Sequence, residues 1–456
     1  MSEFSVKTTR EEVRRLFALA VPVAGAQLGG MMLGVTDMMM LGRVGASEMA
    51  AATLGNVIMM GMTIPLMGLL MGADPLFSQA HGAGNSRRIG RVLQGTLLLL
   101  PLVSLPLFVI GFYAPQLLRI FGQPEHLIAL AKTYIWINLP SLPLFLGFSV
   151  LRQWLQARGI VKPAMWVMLG VNLLNVFANW VLIFGNLGAP ALGLEGSAIA
   201  TLITRSAMVL MLVAWIRHRN LAGDTWLPWD REAFRWKHQT TVLKLGWGIA
   251  ISFAVEMWAF QAVALMAGQL GENALAAHSL VMHTVSLVFM VPLGLSIGCS
   301  VRVGNLIGAG DPNGAQRTAF VALGLTAIFM TIVSITFVAL RNQLPLMFSS
   351  EPELVAIAAT LLPIAAMFQV FDGLQGVCGG ILRGMGRTRA PAFAHALGLY
   401  ALGLPLGRYL LHQGEPHLTD IWWGLCSGLF VVATLLVGWV FVRGPRTVTA
   451  LESSSA

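Results

Sequence analysis

Three carboxylates stand where carboxylates are least tolerated. Asp37, Glu256 and Asp372 each fall inside a long apolar stretch of the chain. An ionisable side chain in bilayer hydrocarbon costs at least about 2.5–3.5 kcal/mol, so one that persists there is a candidate for function. Glu256 lies near the middle of its stretch, and Asp372 lies deep within another. Facing one cavity, the two form a carboxylate pair. Such a pair, helped by hydroxyls or amides, gives a hard monovalent cation the oxygen ligands it needs. The same pair can hold one shared proton, which relieves the repulsion of like charges a few ångströms apart. The sequence leaves both uses open.

Helical spacing supplies the neighbours. Ser252 is four residues before Glu256, while Phe368 and Gln375 stand four before and three after Asp372. These intervals share a helix face, so Ser252, Phe368 and Gln375 are candidate auxiliary contacts for cation or substrate. Taken singly, the hydroxyl and the amide also suit plain interhelical hydrogen bonding. Asp37 lies about four residues from the outer end of the first apolar stretch, and reads as a protonatable or cation-attracting group. Asn172, Asn175 and Asn179 form a polar stripe at i, i+3 and i+7 of the fifth stretch. That stripe either faces Asp37 or glues two helices together. Asp74, beside Pro75 near the inner end of the second stretch, reads as a conformational lock at an inner gate. Arg205, in the sixth, has no evident partner in the sequence and reads as snorkelling or packed on a polar surface.

The elements that must position these groups follow from composition. The chain has 456 residues, 56% hydrophobic and only 11% charged, with a mean hydropathy of +0.74. A soluble domain carries roughly 25% charged residues, so the outward face here meets lipid. Apolar stretches near 16–41, 48–76, 91–112, 127–151, 163–184, 193–216, 240–266, 275–301, 318–340, 354–381, 391–411 and 420–442 predict about twelve membrane helices. Each is near the roughly 20 residues that cross a bilayer. Unbroken apolar runs of this length favour helices over barrel strands. The expected fold is all-α and integral to the membrane.

Basic residues orient the spans. With the N-terminus taken as cytoplasmic, the inner side receives Lys7, Arg10, Arg14 and Arg15, then Arg87, Arg88 and Arg91, and most of the other basic residues. The outer side receives only Arg43, Arg119, Lys132, Arg341 and Arg408. The net charge of +9 is therefore topological. No basic cluster interleaved with stacking aromatics suggests nucleic acid. The N-terminal apolar stretch is too long for a cleaved signal peptide. Both termini are expected in the cytoplasm, and the plasma membrane, a bacterial inner membrane, is the expected location.

The chain also repeats itself. Gly82-Ala83-Gly84 returns as Gly308-Ala309-Gly310, an offset of 226 residues. The same offset carries Gly45 to Gly271, Gly68 to Gly294, Gly72 to Gly298 and Arg91 to Arg317. Asp37 has no acidic counterpart, since the equivalent position is Val263. Six spans per copy return the chain to its starting side, so the copies are expected to be related by a pseudo-two-fold axis along the membrane normal. The expected layout is a cytoplasmic segment 1–15, an N-lobe 16–216, a cytoplasmic linker 217–239, a C-lobe 240–442 and a cytoplasmic tail 443–456. The linker, with its tryptophans among charges, suits the headgroup level and is either a tether between moving lobes or a passive connector. Cys299, Cys378 and Cys426 fall within spans and read as packing residues. His278 and His283, five apart, face different ways and read as interhelical hydrogen-bonders rather than a metal site. The first two spans are rich in methionine, from Met31 to Met71, which suits either core filling or a promiscuous binding surface.

Two motifs add a resemblance. Gln79-Ala-His-Gly-Ala-Gly84 follows the second span and Gly185-Asn-Leu-Gly-Ala-Pro190 follows the fifth. With the twelve-span duplication, they resemble the multidrug and toxic compound extrusion (MATE) family, over nearly the whole chain. Acidic residues in the first, seventh and tenth spans, at Asp37, Glu256 and Asp372, are closest to its NorM-type branch, whereas Asp74 looks more like the eukaryotic branch. The resemblance implies two six-helix lobes around a central cleft. It implies export of small organic cations against inward flow of Na⁺ or H⁺. A monomer in contact with lipid, with no cofactor beyond the coupling ion, is expected; Na⁺ would bind at Glu256 and Asp372. A lipid or oligosaccharide flippase of the same superfamily is the nearest alternative, but it would want a basic cavity for phosphates. An ATP-driven pump is disfavoured by the absence of a G-x-x-x-x-G-K-[ST] loop. A membrane-embedded hydrolase is disfavoured by the absence of H-E-x-x-H or facing paired aspartates.

Overall fold

The computed structural model describes residues 8–349, 351–413 and 415–451. Lys7 and the end of the expected tail beyond Leu451 lie outside the described residues. The described chain is helical: α1 (Thr9–Leu41), α2 (Ala46–Leu70), α3 (Ala73–Gly82), α4 (Ser86–Ile120), α5 (Glu125–Asn138), α6 (Ser141–Ala157), α7 (Lys162–Phe184) and α8 (Gly193–His218). There follow α9 (Trp236–Gln269), α10 (Glu272–Gly308), α11 (Pro312–Ala339), α12 (Pro352–Gly384), α13 (Arg389–His395), a π-helix (Ala396–Gly403), α14 (Leu404–Leu411) and α15 (Leu418–Arg443). Among the described residues, eleven segments are long and apolar enough to cross a membrane, with α2 and α3 counted together and α13 to α14 counted together. Helices α5 and α6, bent by 46° at a short break, pass the same test only as a pair, and taken as one span they make the twelfth. All twelve coincide with the stretches expected from hydropathy.

Local chemistry explains the interruptions. At the α5/α6 break Pro140 has no N–H to give. The Asn138 side chain donates to Tyr134 O at 3.1 Å, and the Ser141 hydroxyl donates to Asn138 O at 2.6 Å, so exposed carbonyls are satisfied at the bend. Arg205 of α8 in turn donates to Ser141 Oγ at 2.7 Å, and its guanidinium lies 5.5 Å from the Phe145 ring centroid. The polar surface expected beneath Arg205 is thus a broken helix. In the π-helix, Gly398 and Gly403, with Gly407 beyond it, meet Gly424 and Gly428 of α15 at backbone distance. Side chains there would block the approach.

By contacts the chain divides into two compact units: Met1–Ala24, Asp74–Gly84 and Trp247–Ala456 form one; Gly25–Ala73 and Asn85–Gly246 form the other. The boundaries fall inside α1, at the start of α3, between α3 and α4, and inside α9. In the first unit, Glu12 of α1 is fully buried against Arg302 of α10, whose Nε and Nη2 donate to the two carboxylate oxygens at 2.9 Å each. Thr318 of α11 donates a third hydrogen bond to Glu12 at 2.7 Å. Nothing in the residue spacing around Glu12 marks it for this pairing.

The repeated Gly-Ala-Gly motif has a double role in this unit. Its last glycine takes a left-handed φ, +70° at Gly84 and +76° at Gly310, and an Asx cap follows. Asn85 accepts from Arg88 N at 2.9 Å, and Asp311 accepts from Gly314 N at 2.8 Å. Its first glycine packs on backbone. A Cβ on Gly82 would strike Asn305, and one on Gly308 would strike Gln79, the positions at the same offset. Each copy therefore presses its glycine on the other copy's equivalent site. Gly82→Ala should lower thermal stability by about 1–3 kcal/mol through overpacking. Gly34→Ala, with nothing within 4 Å of its added methyl, should be near neutral; equal losses in a thermal melt would contradict the reciprocal packing.

In the second unit the 217–239 segment is pinned to α4. Arg91 donates to both oxygens of Asp230 at 2.6 Å and to Glu232 at 3.0 Å, and Arg87 donates to Glu232 at 2.9 Å. Gln94 donates to the carbonyls of Leu227 and Pro228 at 3.0 Å each. Trp226 packs edge-on against Trp154, with ring centroids 6.1 Å apart. The Arg91 guanidinium pulls the Asp230 carboxyl down to about 2. A carboxyl depressed in the folded state stabilises above its unfolded value and loses that contribution as pH falls through its folded value. Docking of the segment should therefore be constant from neutral pH to about 4 and weaken only between about 4 and about 2. Limited proteolysis with an acid-active protease checks this; cleavage rising already at pH 6 would contradict it.

Candidate functional site

In the first unit, Glu256 of α9 and Asp372 of α12 meet at one amide. Gln375 Nε2 donates to Glu256 Oε1 at 2.7 Å and to Asp372 Oδ1 at 3.1 Å. Helix α12 sets Asp372 and Gln375 three residues apart, on one face. Asp372, Gln375 and Ser252 are buried, and the Glu256 side chain retains 20% exposure.

His395, which no motif singled out, completes the cluster. Its Nε2–H donates to Gln375 Oε1 at 2.9 Å, and its Nδ1 accepts from the Ser252 hydroxyl at 2.8 Å. This assignment follows from Gln375, whose Nε2 is committed to the carboxylates and whose carbonyl oxygen can only accept. Ser252 therefore reaches the carboxylates through His395 and Gln375, not directly. His395 Nε2 lies 3.9 Å from Glu256 Oε1. It ends α13, immediately before the π-helix, a departure from α geometry often found at functional sites. Its one sequence signal was a titratable side chain inside an expected span. Phe368 is fully buried and packs edge-on between Phe260 and Trp422, at centroid distances of 6.1 and 5.7 Å.

The second unit holds another buried acid. Asp37 of α1 accepts from Asn179 Nδ2 at 2.6 Å and from Asn175 Nδ2 at 3.1 Å on one oxygen, and from the Thr201 hydroxyl of α8 at 3.2 Å on the other. Asn179 Nδ2 also reaches Asn175 Oδ1 at 3.2 Å. Asn179 Oδ1 is buried with no hydrogen-bond partner. Two of the three stripe asparagines thus join Asp37. Asn172 instead donates to the α1 backbone at Gly29 O, at 2.9 Å, and to Met168 O. Thr201 was not anticipated, although Ser197, Thr201, Thr204 and Arg205 stand at i, i+4, i+7 and i+8 of α8 and so share a helix face.

The remaining polar groups are dispersed. Asp74, in the first turn of α3, lies 3.6 Å from Arg383 Nε of α12. Cys299, Cys378 and Cys426 are buried free thiols. His283 corrects the expectation of an interhelical bond: its Nδ1 donates to Ser279 O, one turn back on the same helix, at 2.7 Å. His278 packs edge-on against Trp422 at 5.7 Å, and its Nδ1 is buried with no hydrogen-bond partner. Among the described residues no group of three or more His, Cys, Asp or Glu side chains is arranged to hold a metal.

A family model described as MatE matches the chain twice, over residues 22–181 and 249–408. The two matches start 227 residues apart, one residue from the offset of the glycine motifs. The chain is 35% identical over 443 residues to a probable multidrug resistance protein NorM of Mesorhizobium japonicum, covering 94% of this chain and 93% of that one. It is 30% identical over 433 residues to multidrug and toxin extrusion protein 1 of Xenopus tropicalis, covering 94% of this chain and 74% of that one. The crystal structure of the eukaryotic MATE transporter AtDTX14 superposes with a TM-score of 0.88 at 23% identity, covering 96% of this chain and 98% of that one. The Vibrio cholerae MATE transporter VcmN, in its bent form, superposes with a TM-score of 0.84 at 18% identity, covering 96% and 98%. At those identities the two structures speak for the fold alone. A twelve-span helical fold with these relatives defines a secondary transporter, not an enzyme. The chain belongs to the MatE family.

Proposed function

We propose that this protein exports organic cations by antiport, driven by inward movement of Na⁺ or H⁺ through the buried acids. The observation that carries this reading is the shared amide: one Gln375 nitrogen holds Glu256 and Asp372 together inside membrane-spanning helices. Two carboxylates so held leave oxygens for an arriving cation or proton, whose charge relieves a repulsion that the neutral Gln375 amide offsets only in part. Gln375 and His395 act as a positioning chain, with Ser252 fixing the ring at its far end. The Asp37 cluster supports a second cation-sensing position, since the buried, unpartnered Asn179 Oδ1 belongs to the same amide that donates to the aspartate. Phe368 serves as packing behind Asp372, and Asp74 with Arg383 as a lock on α3.

An ion drives transport only through different affinities in two conformations. The proposed conformations are inward-open and outward-open states of two six-helix lobes, 16–216 and 240–442. The distribution of Lys and Arg supports cytoplasmic termini in a bacterial inner membrane. Each acidic cluster is complete within one chain, which supports a monomer as the transporting unit. The multidrug names of the relatives support cationic drugs as cargo. Ethidium export from proteoliposomes, under a Na⁺ gradient alone and then a pH gradient alone, tests the reading. One gradient should accelerate export severalfold; no response to either would overturn it.

A further inference from the structure

The segment between α8 and α9 carries a surface that belongs to neither acidic cluster. It begins and ends on membrane-spanning helices, Gly193–His218 and Trp236–Gln269, so it lies at a membrane surface. Its placement is fixed. Asp230 and Glu232 are held by Arg91 and Arg87 of α4, and Arg158 Nη1 donates to Leu221 O at 2.7 Å. A Cβ on Gly90 of α4 would strike Thr225 and Leu227, so the segment rests directly on that helix.

This clamp unbalances the segment's charge. Residues 217–239 hold three acids, Asp224, Asp230 and Glu232, and five basic side chains, Arg217, Arg219, Arg231, Arg235 and Lys237. Two of the three acids are neutralised by arginines of α4. The five basic side chains are exposed, and among the described residues none of them makes a hydrogen bond or an ion pair. Aromatic rings alternate with them. Trp229, Phe234 and Trp236 are 49%, 59% and 64% exposed, and the Trp229 and Phe234 rings lie 6.2 Å apart. Tryptophan beside basic residues suits the headgroup level of a bilayer. Guanidinium groups bind phosphate oxygens bidentately, and basic segments next to spans attract anionic lipid.

We infer that Arg231, Arg235 and Lys237, interleaved with Trp229, Phe234 and Trp236, form a binding surface for the phosphate headgroups of anionic phospholipid. The arginines and the lysine take the phosphates, and the rings sink among the headgroups. Exposed rings bordering two spans favour a lipid over free phosphate, which would have no use for them. The leaflet concerned, the inner one, rests on the orientation proposed above; the surface itself does not.

The test is native mass spectrometry of the purified full-length protein, incubated with phosphatidylglycerol, with phosphatidylcholine, or with phosphatidylglycerol plus excess inorganic phosphate. The wild type should retain phosphatidylglycerol at least about tenfold over phosphatidylcholine, equivalent to about 1.4 kcal/mol. Inorganic phosphate should not displace it. Combining Arg231→Gln, Arg235→Gln and Lys237→Gln should remove most of that excess. Arg235→Gln alone, at an exposed position, should lower it severalfold even if the triple variant does not fold. Arg43→Gln removes one equally exposed charge from the α1/α2 turn and should leave retention unchanged. Unchanged retention in Arg235→Gln, an equal loss in Arg43→Gln, or displacement by inorganic phosphate overturns the inference. Glu256→Gln should keep the lipid, so a failure of this surface and a failure of ion coupling are told apart.

Discussion

Glu256→Gln and Asp372→Asn should each abolish gradient-driven export while leaving the protein folded and in the membrane. Both substitutions keep size and polarity and remove one negative charge. The Gln375 amide can still bond the new carbonyl oxygen, so the cluster keeps its shape. What is lost is charge compensation of the arriving ion, and with it the differential affinity that couples ion to cargo. Uphill export should fall by at least about a hundredfold, about 2.7 kcal/mol of coupling. Downhill equilibration of the organic cation should persist. An unchanged rate of uphill export in either variant would refute the assignment.

Arg302→Ala should be among the most destabilising single changes in the chain. It leaves the fully buried Glu12 carboxylate without the two charge-assisted hydrogen bonds that compensate it. Breaking a buried pair by removing one partner typically costs about 3–5 kcal/mol, because the other charge stays buried and uncompensated. The membrane-inserted yield and the unfolding temperature should drop together. Adding Glu12→Gln to Arg302→Ala should recover much of the loss, since a neutral amide tolerates the site better than an unpaired carboxylate. Equal stability of Arg302→Ala and wild type in detergent would contradict the role assigned to this pair.

The span pattern was legible because hydropathy is the whole of the lipid constraint: backbone groups must bond within the helix, so an apolar run of sufficient length has one outcome. The break at Pro140 inside one span was not read, although proline there is a stop signal. The neighbours of Glu256 and Asp372 were legible where the partner shares their helix, as Gln375 does with Asp372. They were not legible where the partner comes from another helix. His395 carries no local signature, Thr201 belongs to a polar stripe on α8 whose partner the stripe does not name, and Glu12 is one of several charges in the N-terminal segment. The glycine repeat announced a duplication, but not that Gly82 and Gly308 would each press on the other copy's backbone. Long-range pairing is a property of packing, which spacing along one helix cannot encode.

Ion entry recorded during cargo exit decides whether Glu256 and Asp372 carry the coupling ion. Proteoliposomes loaded with an organic cation are held with an inward Na⁺ or H⁺ gradient, and internal Na⁺ or pH is followed as the cargo leaves. Ion entry should start with cargo exit in the wild type and be absent in both Glu256→Gln and Asp372→Asn. Equal cargo-triggered ion entry in the wild type and in these two variants would contradict it.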